Sequence, residues 1–339
     1  MPDDAFIHSS WTKQDAIFET HLRPSSLNEF TGQDSVRQRL SVIMGAAMER
    51  NEALGHCLFN GPPGLGKTTL AHIIAKTMGT NLVVSSGAVL EKPGDLAGIL
   101  TNLQTGDIFF IDEIHRLNRA VEEYLYPAME DFSLDLLIDS GPAARSVQVK
   151  LNPFTMIGAT TRAGLLSSPM RSRFALHLRL DYYTPQILET IVSRSAKILN
   201  VPITPSAALI IAKRARGTPR IANNLLRWVR DYAQIHKAAR IDEKIAIEAL
   251  EMLHIDHLGL DEMDKKILTT IIEHYAGGPV GVNTLAASLS EEAHTLEEVY
   301  EPFLIMQGLL KRTPRGREAT LLTYTHLGRV PPNKGVQNP

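Results

Sequence analysis

The sequence has few of the features that would mark a disulfide-bonded, secreted or membrane-spanning chain. Cys57 is the only cysteine among 339 residues, which excludes an internal disulfide and is typical of a protein of the reducing cytosol. The chain contains no apolar run of about 18 residues, the length needed to span a bilayer. Its first residues are polar and include two aspartates, so no secretory signal is predicted. We therefore expect a cytoplasmic protein with no membrane contact.

An excess of positive charge is also absent, since the formal net charge is −2. No overall basic field would attract this chain to nucleic acid, and any surface that binds nucleic acid must be local. Hydrophobic residues make up 44% and charged residues 21% of the sequence, which is ordinary for a globular chain. At this length, we expect two or three domains that each bury a core.

The run GPPGLGKTT at positions 61–69 has the spacing of a phosphate-binding loop. Gly64 and Gly66 allow the backbone to approach phosphate closely, Lys67 adds a positive charge, and Thr68 supplies a hydroxyl for Mg²⁺. The apolar run before the loop predicts a strand, and the apolar spacing after it predicts a helix. A Gly- and Pro-rich turn could have this composition, but the strand and helix around it favour nucleotide binding.

Other apolar runs predict further strands at 81–85, 107–113 and 154–161, separated by helical segments. This alternation is typical of a doubly wound parallel sheet of the α/β class. Two runs of alternating apolar residues, within 134–151, flank a Ser-Gly-Pro turn and predict a β-hairpin. From about residue 184 to 254 the periodicity is helical, and the strand pattern stops.

Candidate catalytic side chains follow the predicted strands. Asp112 and Glu113 end one of them, where Asp112 could hold Mg²⁺ through water and Glu113 could polarise an attacking water. The alternative is that the two acids cap a helix that begins near Leu117. Thr160 and Thr161 end the next strand, and either hydroxyl could orient the water. Two β-branched residues are equally typical of a strand end.

Arginines at two places are candidates for contact with phosphate. Arg171 and Arg173 lie in a short segment after the last predicted strand of the sheet, and in a ring of subunits an arginine there could enter a neighbour's site. A solvated surface arginine is the alternative. Arg220 begins a helix of the small helical region and could reach the phosphates of its own subunit, which would couple nucleotide state to domain movement.

The C-terminal part has the pattern of a winged helix. Helices are predicted at 262–275, 282–289 and 295–306, and two short strands at 308–313 and 319–324. Four basic residues lie at the predicted hairpin tip, which favours contact with the DNA backbone; they are Lys311, Arg312, Arg315 and Arg317. A solvated basic hairpin is the alternative. No aromatic residue interleaves these charges, so base stacking is not indicated.

Taken together, these segments resemble the AAA+ ATPases, and within them the RuvB family of bacterial Holliday-junction branch-migration motors. The resemblance extends over residues 22 to about 328. The runs that carry it include GPPGLGKTTLAHIIA, FFIDEIHRL, IGATTRAG, ARGTPRIANNLLRWVRD and LLKRTPRGR. It implies a large AAA+ domain at 1–182 with a flexible start at 1–20, a helical lid domain at 183–255, a winged-helix head at 256–330 and a disordered tail at 331–339.

The resemblance also implies roles for single residues. Lys67, Thr68 and Thr69, with Gly64 and Gly66, would bind ATP or ADP, and Thr68 and Asp112 would hold Mg²⁺. Catalysis would involve Lys67, Asp112, Glu113, Thr161 as sensor 1 and Arg173 as the arginine finger. The other nucleotide contacts would be Leu22, Arg23, Glu130, Asp131, Phe132, Tyr183 and Arg220 as sensor 2. Arg312 and Arg317 would bind DNA.

The partners that the resemblance implies are the duplex arms of Holliday junctions, RuvA docked on the hairpin 134–151, the resolvase RuvC in a larger complex, and a homo-oligomer of hexameric ring form. Two positions depart from the family pattern: Ala293 replaces a frequent arginine near DNA, and Trp228 replaces a common arginine of the lid domain. Neither departure affects the ATPase residues.

Two other functions are compatible with the motifs. A clamp-loader-like or protein-remodelling AAA+ ATPase would have the same phosphate loop, but the basic terminal hairpin speaks against it. A nucleotide-gated winged-helix regulator would bind a specific DNA sequence and hydrolyse little ATP.

Overall fold

The computed structural model of the chain describes residues 13–137 and 146–331. Two units emerge: the first comprises Ile17–Ile191 and Gly217–Arg220, and the second comprises Val192–Arg216, the residues from Ile221 onward, and the start of the first helix. Within the described residues, no helix is both long and apolar enough to cross a membrane.

The first unit is built on a parallel sheet of five strands in the order β2-β3-β6-β1-β7. This confirms the predicted α/β class with a doubly wound parallel sheet. The central strands β3 and β6 are apolar and buried, because helices cover both faces of such a sheet. The sheet strands are β1 Cys57–Asn60, β2 Leu82–Ser86, β3 Ile108–Asp112, β6 Thr155–Thr160 and β7 Leu176–Arg179.

The fifth strand, β7, is not among the strands that the sequence predicted. It pairs with β1 in the register Cys57↔Leu176. As an edge strand it leaves His177 and Arg179 exposed while Leu178 is buried. Its four residues give too short an alternation to be distinguished from a loop by sequence pattern.

The helices of the first unit cover the sheet and carry its loops. Of the segment 1–20 that is predicted to be flexible, residues 13–20 lie in helix α1. The helix after the acidic pair begins at Arg119 and not near Leu117, since Asn118 accepts a hydrogen bond from the backbone N–H of Val121 at 3.0 Å. The helices are α1 Lys13–Leu22, α2 Asp34–Arg50, α3 Lys67–Met78, α4 Pro93–Leu100, α5 Arg119–Glu130 and α6 Ser168–Ser172.

The predicted hairpin is present as β4 Ser133–Leu137 and β5 Ser146–Lys150, which pair antiparallel in the register Leu134↔Val149. Leu134 is buried and joins the core beneath the sheet. The turn at 138–145 lies outside the described residues.

The second unit contains the lid helices and the winged helix. Helices α7 and α9 each contain residues of both units. The lid helices are α7 Pro185–Ile198, α8 Pro205–Arg214, α9 Pro219–Ile235 and α10 Glu243–Glu251. The winged helix has α11 Glu262–Tyr275, α12 Val282–Leu289, α13 Ala293–Thr295 continuing through a π-helical turn Leu296–Tyr300 into α14 Glu301–Met306, then β8 Leu310–Thr313, β9 Gly316–Ala319 and α15 Leu321–His326.

The second wing strand lies earlier than predicted. β9 spans Gly316–Ala319 and pairs with β8 in the register Arg312↔Arg317, while the predicted strand at 319–324 is mostly helix α15. The tight turn at Thr313↔Gly316 starts the returning strand at once, so the apolar residues 321–324 lie beyond the hairpin. The tail predicted to be disordered, 331–339, lies outside the described residues apart from residue 331.

Candidate active site

The phosphate-binding loop connects β1 to α3, as parallel α/β folds require at the carboxyl end of a strand. Gly66 caps α3 with φ 98°, in the left-handed region, where glycine is favoured. A Cβ at this position would lie 3.0 Å from the ring of Phe30. Phe30 therefore fixes how the loop enters α3, and the first backbone N–H groups of that helix are available to an anion.

Lys67 lies inside this loop. Its Nζ donates hydrogen bonds to the carbonyl oxygens of Gly61 at 2.7 Å and Pro62 at 2.9 Å. Burial lowers the pKa of Lys67, while the charges of Glu113 and Asp112 act in the opposite direction. The ammonium group is thus held in a dry site beside two carboxylates, where its charge acts strongly on phosphate.

Asp112 ends β3, the strand next to β6. Its Oδ1 accepts a hydrogen bond from the backbone N–H of Glu113 at 3.0 Å. Burial, and then the neighbouring Glu113 charge, raise the pKa of Asp112. Glu113 has φ 45°, which is uncommon for a residue with a side chain. This backbone conformation turns the chain directly after the strand, so the carboxylates of Asp112 and Glu113 have different hydrogen-bond partners.

The carboxylate of Glu113 is held by residues from the end of β6. Its Oε2 accepts hydrogen bonds from the Thr161 hydroxyl at 3.0 Å and the Thr161 backbone N–H at 3.4 Å. Thr160 is fully buried, and its Oγ1 lies 2.9 Å from Nδ1 of His115 and accepts from the N–H of Arg162 at 3.0 Å. Of the two threonines, the geometry therefore favours Thr161 as the partner of Glu113.

Thr68 and Asp112 have the donor chemistry for Mg²⁺, since hydroxyl and carboxylate oxygens are hard ligands. Within the described residues, no group of three or more His, Cys, Asp or Glu could hold a metal by itself. Mg²⁺ in nucleotide sites takes several of its ligands from substrate phosphates and water.

The residues predicted to lie by the base and ribose are close to the loop. The Tyr183 hydroxyl donates to the carbonyl of Leu65 at 3.1 Å, and burial raises the pKa of Tyr183. Leu22 is buried at the end of α1. Arg23 pairs with Glu19 at 3.3 Å between its Nη2 and the carboxylate. Of these contacts, that of Tyr183 joins its segment directly to the phosphate loop.

Arg220 lies by the same loop. Its Nε is 3.5 Å from a carboxylate oxygen of Glu19, and a Cβ at Gly64 would lie 3.2 Å from the Cβ of Arg220. The sequence had not indicated Glu19, which contacts both Arg23 and Arg220.

Arg173 belongs to a second cluster, at the C-terminal end of α6. Its guanidinium lies 4.2 Å from the ring centroid of Tyr126 and 3.0 Å from Glu130. Asp131 is exposed at the end of α5. Phe132 packs edge-on against Phe154 at 5.8 Å between ring centroids, so in this conformation its ring contributes to the core beneath the hairpin.

The two wing arginines differ in their surroundings. Arg312 has a side chain 59% exposed, with Nη2 3.1 Å from Glu297. Arg317 is 6% exposed, and its Nε and Nη2 meet the two carboxylate oxygens of Glu301 at 2.5 and 3.1 Å. Glu301 itself is buried. In this conformation Arg317 is a buried ion-pair partner, whereas the prediction from sequence placed both arginines on the DNA side of the wing.

Three features of the two clusters were missed in the sequence. They are Glu19, His115 and the α5 residues Glu122 and Tyr126. His115 follows Glu113 by two positions, and its Nδ1 lies 3.2 Å from the Glu113 carboxylate, so a closer reading of FFIDEIHRL could have found it. The contacts of the others with Arg220, Ser167 and Arg173 join distant segments and leave no local signal.

Three family models match consecutive parts of the chain. The first is described as the Holliday junction DNA helicase RuvB P-loop domain and matches residues 22–180. The RuvB AAA lid domain matches residues 183–256, and the RuvB C-terminal winged helix domain matches residues 257–328.

Curated relatives and solved structures agree with these matches. The Holliday junction branch migration complex subunit RuvB of Protochlamydia amoebophila is 67% identical over 322 residues, which cover 95% of this chain and 97% of the relative. The subunit of the same name from Chlamydia trachomatis serovar A is 58% identical, covering 95% and 96%. The structure of the Thermotoga maritima RuvB Holliday junction branch migration motor is 56% identical with a TM-score of 0.83, covering 91% of this chain and 99% of that one.

Proposed function

Since the chain belongs to the RuvB family, we propose that it is an ATP-driven motor that moves the duplex arms of Holliday junctions during recombination and DNA repair. The observation that carries this function is the gathering of Lys67, Asp112, Glu113 and Thr161 at one edge of the parallel sheet, in a chain that ends in a winged helix. The site at the sheet edge hydrolyses ATP, and the winged helix provides a surface for DNA.

In the ATPase reaction, the loop backbone and Lys67 bind the β- and γ-phosphates. Thr68 and Asp112 would hold Mg²⁺, which would supply positive charge to offset that of the phosphates. Glu113 accepts a proton from the attacking water. The Thr161 hydroxyl lies 3.0 Å from the Glu113 carboxylate and orients that carboxylate. Leu22, Arg23 and Tyr183 enclose the base and ribose, and Arg220 reports the phosphate state to the lid helices.

The finger role of Arg173 requires more than one subunit. We propose a homo-oligomeric ring, of hexameric form as the family resemblance implies, in which Arg173 stabilises charge that develops on a neighbour's γ-phosphate. Glu130, Asp131 and Phe132 border the same interface. The exposure of Glu130 and Asp131 supports this placement.

The other proposed partners follow from the hairpin and the wing. The β4–β5 hairpin docks RuvA, RuvC joins the larger complex, and the whole assembly acts in the cytoplasm. On the wing, exposed Lys311, Arg312 and Arg315 contact DNA phosphates without regard to base sequence. Arg317 can reach phosphate only if its ion pair with Glu301 breaks. In the paired conformation it stabilises the wing.

The clamp-loader-like and regulator functions are less favoured, because the winged-helix domain and nearly the full length match the RuvB family. The test is ATP turnover with duplexes of unrelated sequence. A motor that binds backbone phosphates should be stimulated equally by all of them. Stimulation by one sequence only, or by a protein substrate and no duplex, would contradict the proposal.

A further inference from the structure

Helix α5 presents three polar side chains to the segment that carries Arg173. They are Glu122, Tyr126 and Glu130, spaced by four residues and therefore on one face of the helix. Each contacts the α6 segment. Glu122 accepts a hydrogen bond from Ser167, the residue that caps α6, the ring of Tyr126 lies against the guanidinium of Arg173, and Glu130 pairs with the same guanidinium.

The start of α6 is fixed by a buried carboxylate. Ser167 caps the helix, accepting a hydrogen bond from the N–H of Met170 at 3.3 Å. The Ser167 hydroxyl donates to Oε2 of Glu122 at 2.8 Å, and the Tyr126 hydroxyl donates to the same oxygen at 3.0 Å. Since Glu122 is buried, these hydrogen bonds are made away from water and set the position of the whole segment.

The far end of the segment is fixed through Arg173. Its Nη1 donates to the carbonyl of Pro169 at 2.7 Å, while the plane of the guanidinium lies over the Tyr126 ring. The Arg173 side chain is only 18% exposed. Arginine stacks well on an aromatic face, which limits a long side chain to few rotamers.

Glu130 is the other group that could hold this arginine, and its expected effect is smaller. Its carboxylate lies 3.0 Å from Nη2, but its side chain is 55% exposed. Ion pairs at exposed positions contribute little, whereas a partly desolvated cation over a ring contributes more. The ring of Tyr126 is therefore expected to govern the position of the guanidinium.

We propose that Tyr126 is a positioning residue for the arginine finger: its ring orders Arg173, while Glu122 and the Ser167 hydroxyl anchor the helix that ends at Arg173. The inference rests on the proposed function, in which Arg173 meets charge in a neighbour's transition state. Arg173 ordered in advance loses less entropy when that charge develops. Loss of this ordering should therefore lower kcat and leave the binding of ATP unchanged.

The experiment first measures ATP turnover of the full chain with duplex DNA for three variants of helix α5. Tyr126→Leu should lower kcat about 3- to 30-fold, the range expected for loss of a cation–π contact, with an unchanged KM for ATP. Tyr126→Phe, which keeps the ring, should stay within about twofold of the wild type. Tyr124→Leu is the matched control, because a residue two positions earlier points to the other side of the helix; it should keep wild-type turnover.

A double variant separates positioning from a general structural effect. Tyr126→Leu should cause no further loss in an Arg173→Ala background, whereas a merely structural role would lower turnover there by the same factor. In mixed rings, Glu113→Gln subunits with intact Tyr126 should restore turnover at the active sites of Tyr126→Leu subunits. If Tyr126→Leu kept the wild-type kcat while Arg173→Ala lost turnover, the positioning role of Tyr126 would be overturned and the finger role of Arg173 would stand. Wild-type turnover of Arg173→Ala would overturn the finger role and the inference together.

Discussion

Replacement of Arg317 by methionine should destabilise the wing of this protein more than it weakens DNA binding directly. Arg317 and Glu301 are 6% and 3% exposed, and the guanidinium contacts both carboxylate oxygens. Removing Arg317 leaves the buried Glu301 with the more distant Arg312, 4.0 Å from its Oε2, as its remaining ion-pair partner, and breaking such a buried pair costs about 3–5 kcal/mol. Replacing both residues, as Arg317→Met with Glu301→Leu, should recover most of that loss, because an apolar pair of similar volume carries no desolvation cost.

Amide hydrogen exchange of the full chain measures this effect where it occurs. Two backbone hydrogen bonds join Arg317 and Val280, at 3.0 and 2.8 Å, and their amides report the opening of the wing. In Arg317→Met they should exchange roughly 10²- to 10⁴-fold faster, since each 1.4 kcal/mol is about tenfold. The double variant should restore most of the protection.

Arg312→Ala is the matched control, because its side chain is 59% exposed. Loss of its exposed pairing with Glu297 and of its 4.0 Å contact with Glu301 should cost at most about 1 kcal/mol, because Arg317 still pairs with Glu301, so exchange in the wing should change little. Its phosphate contact, however, should be lost, lowering the slope of log K against log salt by about 0.9 on duplex DNA. Normal wing exchange in Arg317→Met together with a reduced salt slope would refute the structural role and return Arg317 to the DNA surface.

Other predictions test the ATP site and the pH dependence of the second unit. Lys67→Ala should weaken nucleotide binding, measured by titration with fluorescent ADP, because it removes the charge that meets the phosphates; unchanged affinity would contradict its role. Glu113→Gln should keep that affinity while turnover falls by about 10²-fold or more, and joint loss of both would contradict the assignment. Burial raises the pKa of Asp264 to about 7, although the charge of its ion-pair partner Arg216 opposes the shift and that of the adjacent Asp261 adds to it. The folded chain then binds this proton more tightly than the unfolded chain, with its pKa of about 3.9, so the stability of α11 should fall as pH rises towards 7 and level off above it. Asp264→Asn should remove this pH dependence of stability, measured by amide exchange of α11. An unchanged pH dependence in this variant would contradict the raised pKa of Asp264.

The parts of the fold that could be predicted are those with a strong local pattern. The runs that became β1, β3 and β6 are apolar and bounded by turn residues, and the first two helices of the winged helix were placed with their observed bounds. β7 was missed because an edge strand of four residues gives a weak alternation. The second wing strand was displaced because residues 321–324 have strand-like composition, while the turn at Gly316 had already started β9.

The same distinction holds for the candidate site. Lys67, Asp112 and Glu113 are predictable since each stands in a motif at the end of a strand. The partner of the Glu113 carboxylate could not be chosen between Thr160 and Thr161 from sequence, because it depends on which hydroxyl faces β3 after folding. The contact of Tyr126 with Arg173, and the burial of Arg317 by Glu301, arise from segments 47 and 16 positions apart. No local pattern reports such contacts.

Branch migration itself tests the central claim most directly. A synthetic four-way junction with arms of unrelated sequence is incubated with the protein, RuvA and ATP, and the separated duplex products are quantified over time. The proposal predicts products that require ATP and RuvA and are absent with Glu113→Gln. ATP hydrolysis stimulated by the junction without any product duplexes, or product formation that persists in Glu113→Gln, would contradict the account of this chain as an ATP-driven branch-migration motor.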